Sequence, residues 1–265
     1  MIKLKFSYET SIRFSDDVTN HAFLLRCFPM DIPGQKVESM THTNYPIVTG
    51  GQYSKDGFGN VIYTGRIDRS HSSMEYKISG VIVRDDSEAE YEKAMPCYKY
   101  PSELTYGNGQ MQVVLDSLRV HGSDIDKAHR IADYIDKTME YMPGSTNVAT
   151  TAAEAFGEKK GVCQDFAHIM IAMCKMEGIY ARYVSGITVG EGETHAWVEV
   201  WQDGYWYGID PTRGCDTDET YIKLCVGRDY NDCPVERGIF NGNALQSQEV
   251  FMKVSYEKEE EPMPA

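Results

Sequence analysis

Three residues in one stretch have the types and spacing needed for thiol catalysis. Cys163 follows Gly161-Val162 and precedes the apolar run Phe166 to Met176, His195 opens the alternating run to Trp201, and Asp210 stands just before Pro211. A thiolate attacks a carbonyl carbon, an imidazole takes and returns the proton, and a carboxylate orients the ring and stabilises its charged form. The chemistry implied is acyl transfer or amide hydrolysis. The same three residue types bind zinc, but no compact Cys/His spacing accompanies them, so neither a metal nor another cofactor is expected.

The elements that must hold these residues are legible around them. Phe166, Ala167, Ile169, Met170, Ala172, Met173 and Met176 predict a helix apolar around most of its circumference, stopped by Gly178. Cys163 then falls at or one residue inside the helix N-terminus, where free amides and the dipole favour a thiolate and can receive an oxyanion. Asp165 opposes this by adding negative charge nearby. Cys174, deep in the helix, is an ordinary buried thiol. His168, the rival base, lies five residues after Cys163 and about 140° round the axis, so it is assigned a structural role.

His195, Trp197, Glu199 and Trp201 share one face of a strand, and Asp203-Gly204 signals a two-residue hairpin. With that loop, Trp201 opposes Trp206, Trp197 opposes Asp210, and Asp210 falls diagonally beside His195, about 7–8 Å away at Cα. A slip of one residue would place the two on opposite faces. Trp197, on the face of His195, is a candidate binding residue.

Towards the N-terminus the pattern changes. Ile2, Leu4 and Phe6 alternate with polar residues, Ala22 to Phe28 is a second apolar run, and Val61 to Tyr63 and Met74 to Val83 follow turn signals at Pro33-Gly34 and Asp56 to Asn60. These short strands predict an antiparallel sandwich or barrel over residues 1–95, without a cluster of catalytic residue types. The acidic segment from Asp85 to Glu92, with Pro96 and Pro101 after it, marks a connector over 96–122. A catalytic unit is then expected over 123–257. It begins with a helix capped by Ser123 and Asp126 and a shorter one capped by Thr151 and Glu154, and takes in strands at Tyr221 to Val226 and Val250 to Tyr256 that would complete its sheet. A charged tail over 258–265 is expected to fray. The fold class is α+β.

Composition narrows the partners. The 265 residues carry a formal net charge of −14, which argues against nucleic acid. Seven scattered cysteines in a chain too large to need disulfide staples favour a reducing compartment. No apolar leader and no run of membrane-spanning length is visible, so a cytoplasmic protein without a membrane partner is expected.

The segments GVCQDFAH, RYVSG, HAWVEV and DPTRG, in that order, resemble the bacterial transglutaminase-like family, a branch of the papain-like cysteine fold. YMPGST before them and VGRDYNDCPVERGIFNG after them are similar to the same family. LLRCFP and DGFGN are similar to the β domain that precedes the core in its bacterial members. The resemblance implies a papain-like core of helices packed on an antiparallel sheet, and a triad of Cys163, His195 and Asp210. It also implies a thioester formed from a carboxamide or peptide bond of a peptide or protein substrate and resolved by water or by an amine. A non-catalytic binding protein on the same fold is the third possibility. The family's eukaryotic enzymes carry calcium sites and downstream β-sandwich domains; neither is expected here. Those enzymes use a tryptophan ahead of the cysteine at the oxyanion, and none precedes Cys163. Tyr141 is the candidate in its place, beside the Cys163 amide.

Overall fold

The computed structural model describes residues 1–87, 91–119 and 121–257; the expected tail over 258–265 lies outside them. The chain runs β1 (Ile2–Leu25), β2 (Gln35–Tyr45), β3 (Thr49–Lys55), β4 (Val61–Ile67) and β5 (His71–Arg84). It continues through α1 (Gly109–Leu118), α2 (Asp124–Thr138), β6 (Glu140–Tyr141), α3 (Ala152–Glu158), β7 (Lys160–Gly161) and α4 (Cys163–Met176). Then come β8 (Ala181–Thr188), β9 (Gly190–Gly192), β10 (His195–Gln202), β11 (Tyr205–Asp210), β12 (Cys215–Asp216), β13 (Tyr221–Gly227), β14 (Glu236–Asn241) and β15 (Gln246–Tyr256).

The fold is α+β, and its two large sheets are antiparallel, as the residues predicted. The N-terminal module is built on β1, a single 24-residue strand where two were expected. Register shifts between Arg13 and Val18 and between Thr19 and Ala22 break it into two halves. Such irregularities bend a strand, so the first half pairs with β5 and β15 and the second with β4 and β14. Leu4, Phe6, Tyr8, Ile12, Leu25, Phe28, Ile78 and Ile82 fill the interior.

Two expectations are corrected here. The connector over 96–122 contains a helix: Asn108 accepts from the Met111 amide at the N-terminus of α1, and Met111 and Leu115 are buried with the other helices. Two inward residues in ten give too sparse an apolar pattern to read as a stripe. The strand at Val250 to Tyr256 does not complete the second sheet. It lies in β15, which pairs with β1 from Leu4↔Tyr256 to Phe14↔Gln246, so the span 123–257 gives β9, β14 and β15 to the first sheet. Alternation reports which faces of a strand are buried, not which sheet it joins.

The second sheet has the order β12-β11-β10-β8-β13. Ala196, Val198, Val200, Ala181 and Tyr183 face α4 and the other helices in one core. At the β8–β13 edge Ile187, Ile222 and Leu224 pack into the interior of the N-terminal module. On the face opposite Tyr183, Arg182, Glu199 and Lys223 tie β8, β10 and β13 together. Burial raises the Glu199 carboxyl, but the two cations outweigh it and hold it at about 2. Both predicted capping boxes are present, at Ser123–Asp126 and Thr151–Glu154.

Candidate active site

Cys163 is the first residue of α4, so its amide has no intrahelical acceptor. The start of the helix is held by Asp165, whose Oδ2 accepts from the Val162 amide at 2.8 Å and from the Thr146 hydroxyl at 2.7 Å. A Cβ on Gly161 would lie 2.6 Å from the Asp165 carboxylate, which explains a glycine two residues before the thiol. Burial pushes the Asp165 carboxyl up, against the hydrogen bonds from Thr146 and Val162.

The hairpin forms in the predicted register, with Trp201↔Trp206 and Val198↔Ile209 paired across Asp203-Gly204. Both loop residues take positive φ, +53° and +98°, as a two-residue turn of this kind requires. Asp210 is thereby set diagonally beside His195, and His195 Nε2 lies 2.7 Å from Asp210 Oδ2. The carboxylate accepts only, so Nε2 carries the hydrogen and Nδ1 is left for the thiol. Burial lowers the basicity of His195, but the hydrogen bonds and charges of Asp210 and Cys163 outweigh it and raise its pKa to about 9. Burial likewise raises Asp210, and its hydrogen bond to His195 brings it below the usual carboxylate range. This pattern favours the imidazolium form of His195 beside the Cys163 sulfur.

Cys163 and His195 line one cleft of about 810 Å³, together with Tyr141, Gln164, Glu193 and Arg213. Tyr141 pairs with Gly161 through the parallel strands β6 and β7, which brings its side chain to the cleft beside the cysteine. It is 54% exposed. Trp197 is a correction. It is 2% exposed and packs edge-on against Tyr221, at 5.3 Å between ring centroids, and near His195 at 6.5 Å. It supports the imidazole from behind and does not reach the cleft. Its sequence parity with His195 was read correctly, but the far face of the sheet is covered at that point. His168 is fully buried and its Nε2 accepts from the Tyr230 amide, so it is structural as expected.

Two residues at the site escaped the sequence reading. Tyr221, the first residue of β13, donates its hydroxyl to Asp210 Oδ2 at 2.9 Å, and Arg213 donates to the Tyr221 oxygen at 3.0 Å. Arg213 lies in the DPTRG segment, so a signal for it existed. Tyr221 carries no local signal.

Among the described residues no group of three or more His, Cys, Asp or Glu side chains is arranged to hold a metal ion. Among the described residues no helix is long and apolar enough to cross a membrane.

Comparison with known proteins bears on the fold and the family. Residues 114–211 match the transglutaminase-like superfamily core, and residues 4–83 match the bacterial transglutaminase-like N-terminal region. An uncharacterised protein of Mycobacterium leprae is 37% identical over 127 residues, a match covering 44% of this chain and 45% of that protein. An uncharacterised protein of Mycobacterium tuberculosis is 26% identical over 282 aligned positions, covering 92% of this chain and 90% of its own length. The crystal structure of a candidate cysteine protease from Cytophaga hutchinsonii shares the fold, with a TM-score of 0.81 and 20% identity over 98% of this chain and 92% of that one. The chain belongs to the transglutaminase-like superfamily, with the bacterial N-terminal region ahead of its core.

Proposed function

We propose that this protein is a cysteine-dependent hydrolase of amide or peptide bonds. The observation that carries the reading is the 2.7 Å His195–Asp210 bond at a cleft whose other wall begins with a helix-N-terminal cysteine. Cys163 Sγ attacks the carbonyl carbon, and the oxyanion is received by the Cys163 amide with Tyr141 as a side-chain donor. His195 passes the proton to the leaving amine, and water then resolves the thioester with His195 as base. Water rather than an amine is the assigned acceptor because the half-exposed Tyr141 beside the thiol leaves the thioester open to solvent. Acyl transfer to an amine uses the same residues and differs only in the acceptor.

The substrate class is a peptide or protein carboxamide, and the reaction as written needs no cofactor. The seven thiols are all free, which suits a reducing, cytoplasmic setting. Incubating a peptide library with the protein, with and without a primary amine, and weighing the products separates the outcomes. Cleavage or deamidation that needs Cys163 supports hydrolysis, and amine-exchanged products favour transfer. No Cys163-dependent product, together with alkylation of Cys163 by iodoacetamide no faster than that of the exposed Cys215, overturns catalysis.

A further inference from the structure

Asp210 is fully buried, and its two oxygens are occupied in different ways. Oδ1 accepts from the backbone amides of Thr212 at 2.9 Å and Arg213 at 3.2 Å, which fixes the carboxylate plane on the turn that follows Pro211. Oδ2 is shared by two donors, His195 Nε2 at 2.7 Å and the Tyr221 hydroxyl at 2.9 Å.

The direction of the second bond is set by Arg213. Its guanidinium donates one N–H to the Tyr221 oxygen at 3.0 Å and another to Thr188 Oγ1 at 3.1 Å, and lies 5.4 Å from the Tyr221 ring centroid. A guanidinium only donates, so it takes an acceptor site of the phenol oxygen and leaves the hydroxyl proton to point at Asp210. Arg213 Nε also stands 3.8 Å from Asp210 Oδ2. Two donors and a cation thus draw on the one oxygen that holds the His195 proton.

We propose that Tyr221, oriented by Arg213, is a positioning residue that competes with His195 for Asp210 Oδ2 and thereby sets the upper pH limit of the His195 imidazolium. The function assigned to it rests on the hydrolase reading above. Burial, with Asp210 adding to it, keeps the Tyr221 hydroxyl protonated far above neutrality, so it stays a donor through the working range. The other titratable groups around the dyad are Cys163 and Asp165 from α4, Tyr141 from β6, Tyr183 from β8, Glu191 of β9, Glu193 ahead of β10, Cys215 of β12 and Tyr230 after β13. The Cys215 sulfur approaches the Tyr221 oxygen at 3.8 Å, and Cys163 shares the cleft with His195.

The sign follows from the competition. Without the Tyr221 hydroxyl the carboxylate leans wholly on His195 and stabilises its charged form more. Removing the Arg213 cation takes away a repulsion and acts in the same direction. The test is NMR titration of the ¹⁵N-histidine-labelled full chain, with the His195 signal assigned by its loss in His195→Ala. The expected result is a midpoint raised by about half a pH unit or more in Tyr221→Phe, and raised again in Arg213→Gln. A purely structural role would not move this midpoint. An unchanged or lowered midpoint in both variants overturns the proposal. If Tyr221→Phe does not fold, the half-exposed Arg213 decides alone. Alkylation of Cys163 is measured on the same samples. A wild-type thiol no more reactive than Cys215 sinks the hydrolase reading while leaving the titration result to stand or fall separately.

Discussion

The molecule holds two histidine pairings that burial treats alike and chemistry treats oppositely. In the cleft His195 faces Asp210 and Cys163, and its pKa is raised to about 9. In the N-terminal module His21 Nδ1 lies 3.2 Å from His71 Nε2, against Phe14 and Phe240, and burial together with the second imidazole lowers the His21 pKa to about 4. His71 Nδ1 donates to the Arg69 carbonyl, which leaves its Nε2 facing His21. Desolvation pushes both His21 and His195 down; only the cleft supplies an anion to reverse it. The reactive state is set by the partner across the hairpin, not by depth in the protein.

Asp210→Asn breaks this contrast most completely. It removes the anion and reverses the polarity of the bond to Nε2, so His195 should fall from about 9 towards the depressed range of His21. Cys163-dependent turnover should drop by about 10²–10⁴-fold, read as the initial rate on the peptide library at neutral pH. Turnover within a few-fold of wild type would remove Asp210 from the mechanism.

Stability against pH sharpens the comparison, because the two sites carry opposite signs. His195 has a folded pKa above its ordinary 6.5, so its contribution is complete below 6.5 and is lost as pH rises through about 9. His21 has a folded pKa below 6.5, so the unfolded chain binds more protons and stability falls as pH drops from 6.5 towards 4. His168, also lowered to about 4 by burial, acts in the same sense. Denaturant midpoints across pH 4 to 10 for wild type, His195→Ala and His21→Phe should show the alkaline loss shrink in the first variant and the acid loss shrink in the second.

A smaller effect tests the packing behind the imidazole. A Cβ on Gly186 would meet both the Ile222 carbonyl and the Trp197 ring at 2.3 Å. Gly186→Ala should therefore cost about 1–3 kcal/mol and move His195 through Trp197, lowering the alkylation rate of Cys163 as well as the thermal midpoint. Loss of stability with an unaltered rate would show that Trp197 does not support the ring. The smallest effect belongs to the His21–His71 pair. His21→Phe near neutral pH should cost less than about 1.5 kcal/mol, since an aromatic ring fills an aromatic site, and should leave Cys163 reactivity unchanged.

The site was more legible than the architecture around it, and the reason is distance along the chain. The Asp203-Gly204 turn fixes a register, and that register alone brings His195 to Asp210. Ser123 and Thr151 mark their helices because a cap acts within one turn. The helix at Gly109–Leu118 was passed over because only Met111 and Leu115 are buried in it. The last strand was given to the wrong sheet, since pairing with β1 across more than two hundred residues leaves no local trace. Trp197 was placed on the correct face and given the wrong neighbour, because period-two alternation does not say what covers a face.

By itself the sequence determined a cysteine at a helix start and a hairpin that sets histidine beside aspartate, because capping and two-residue turns are decided by neighbours in the chain. Only the tertiary structure decided that the cleft joins the two. It alone brought Tyr221 and Arg213 to the second donor position on Asp210, and returned β14 and β15 to the first module. Those contacts follow from which surfaces bury together, and burial is settled by the whole chain at once.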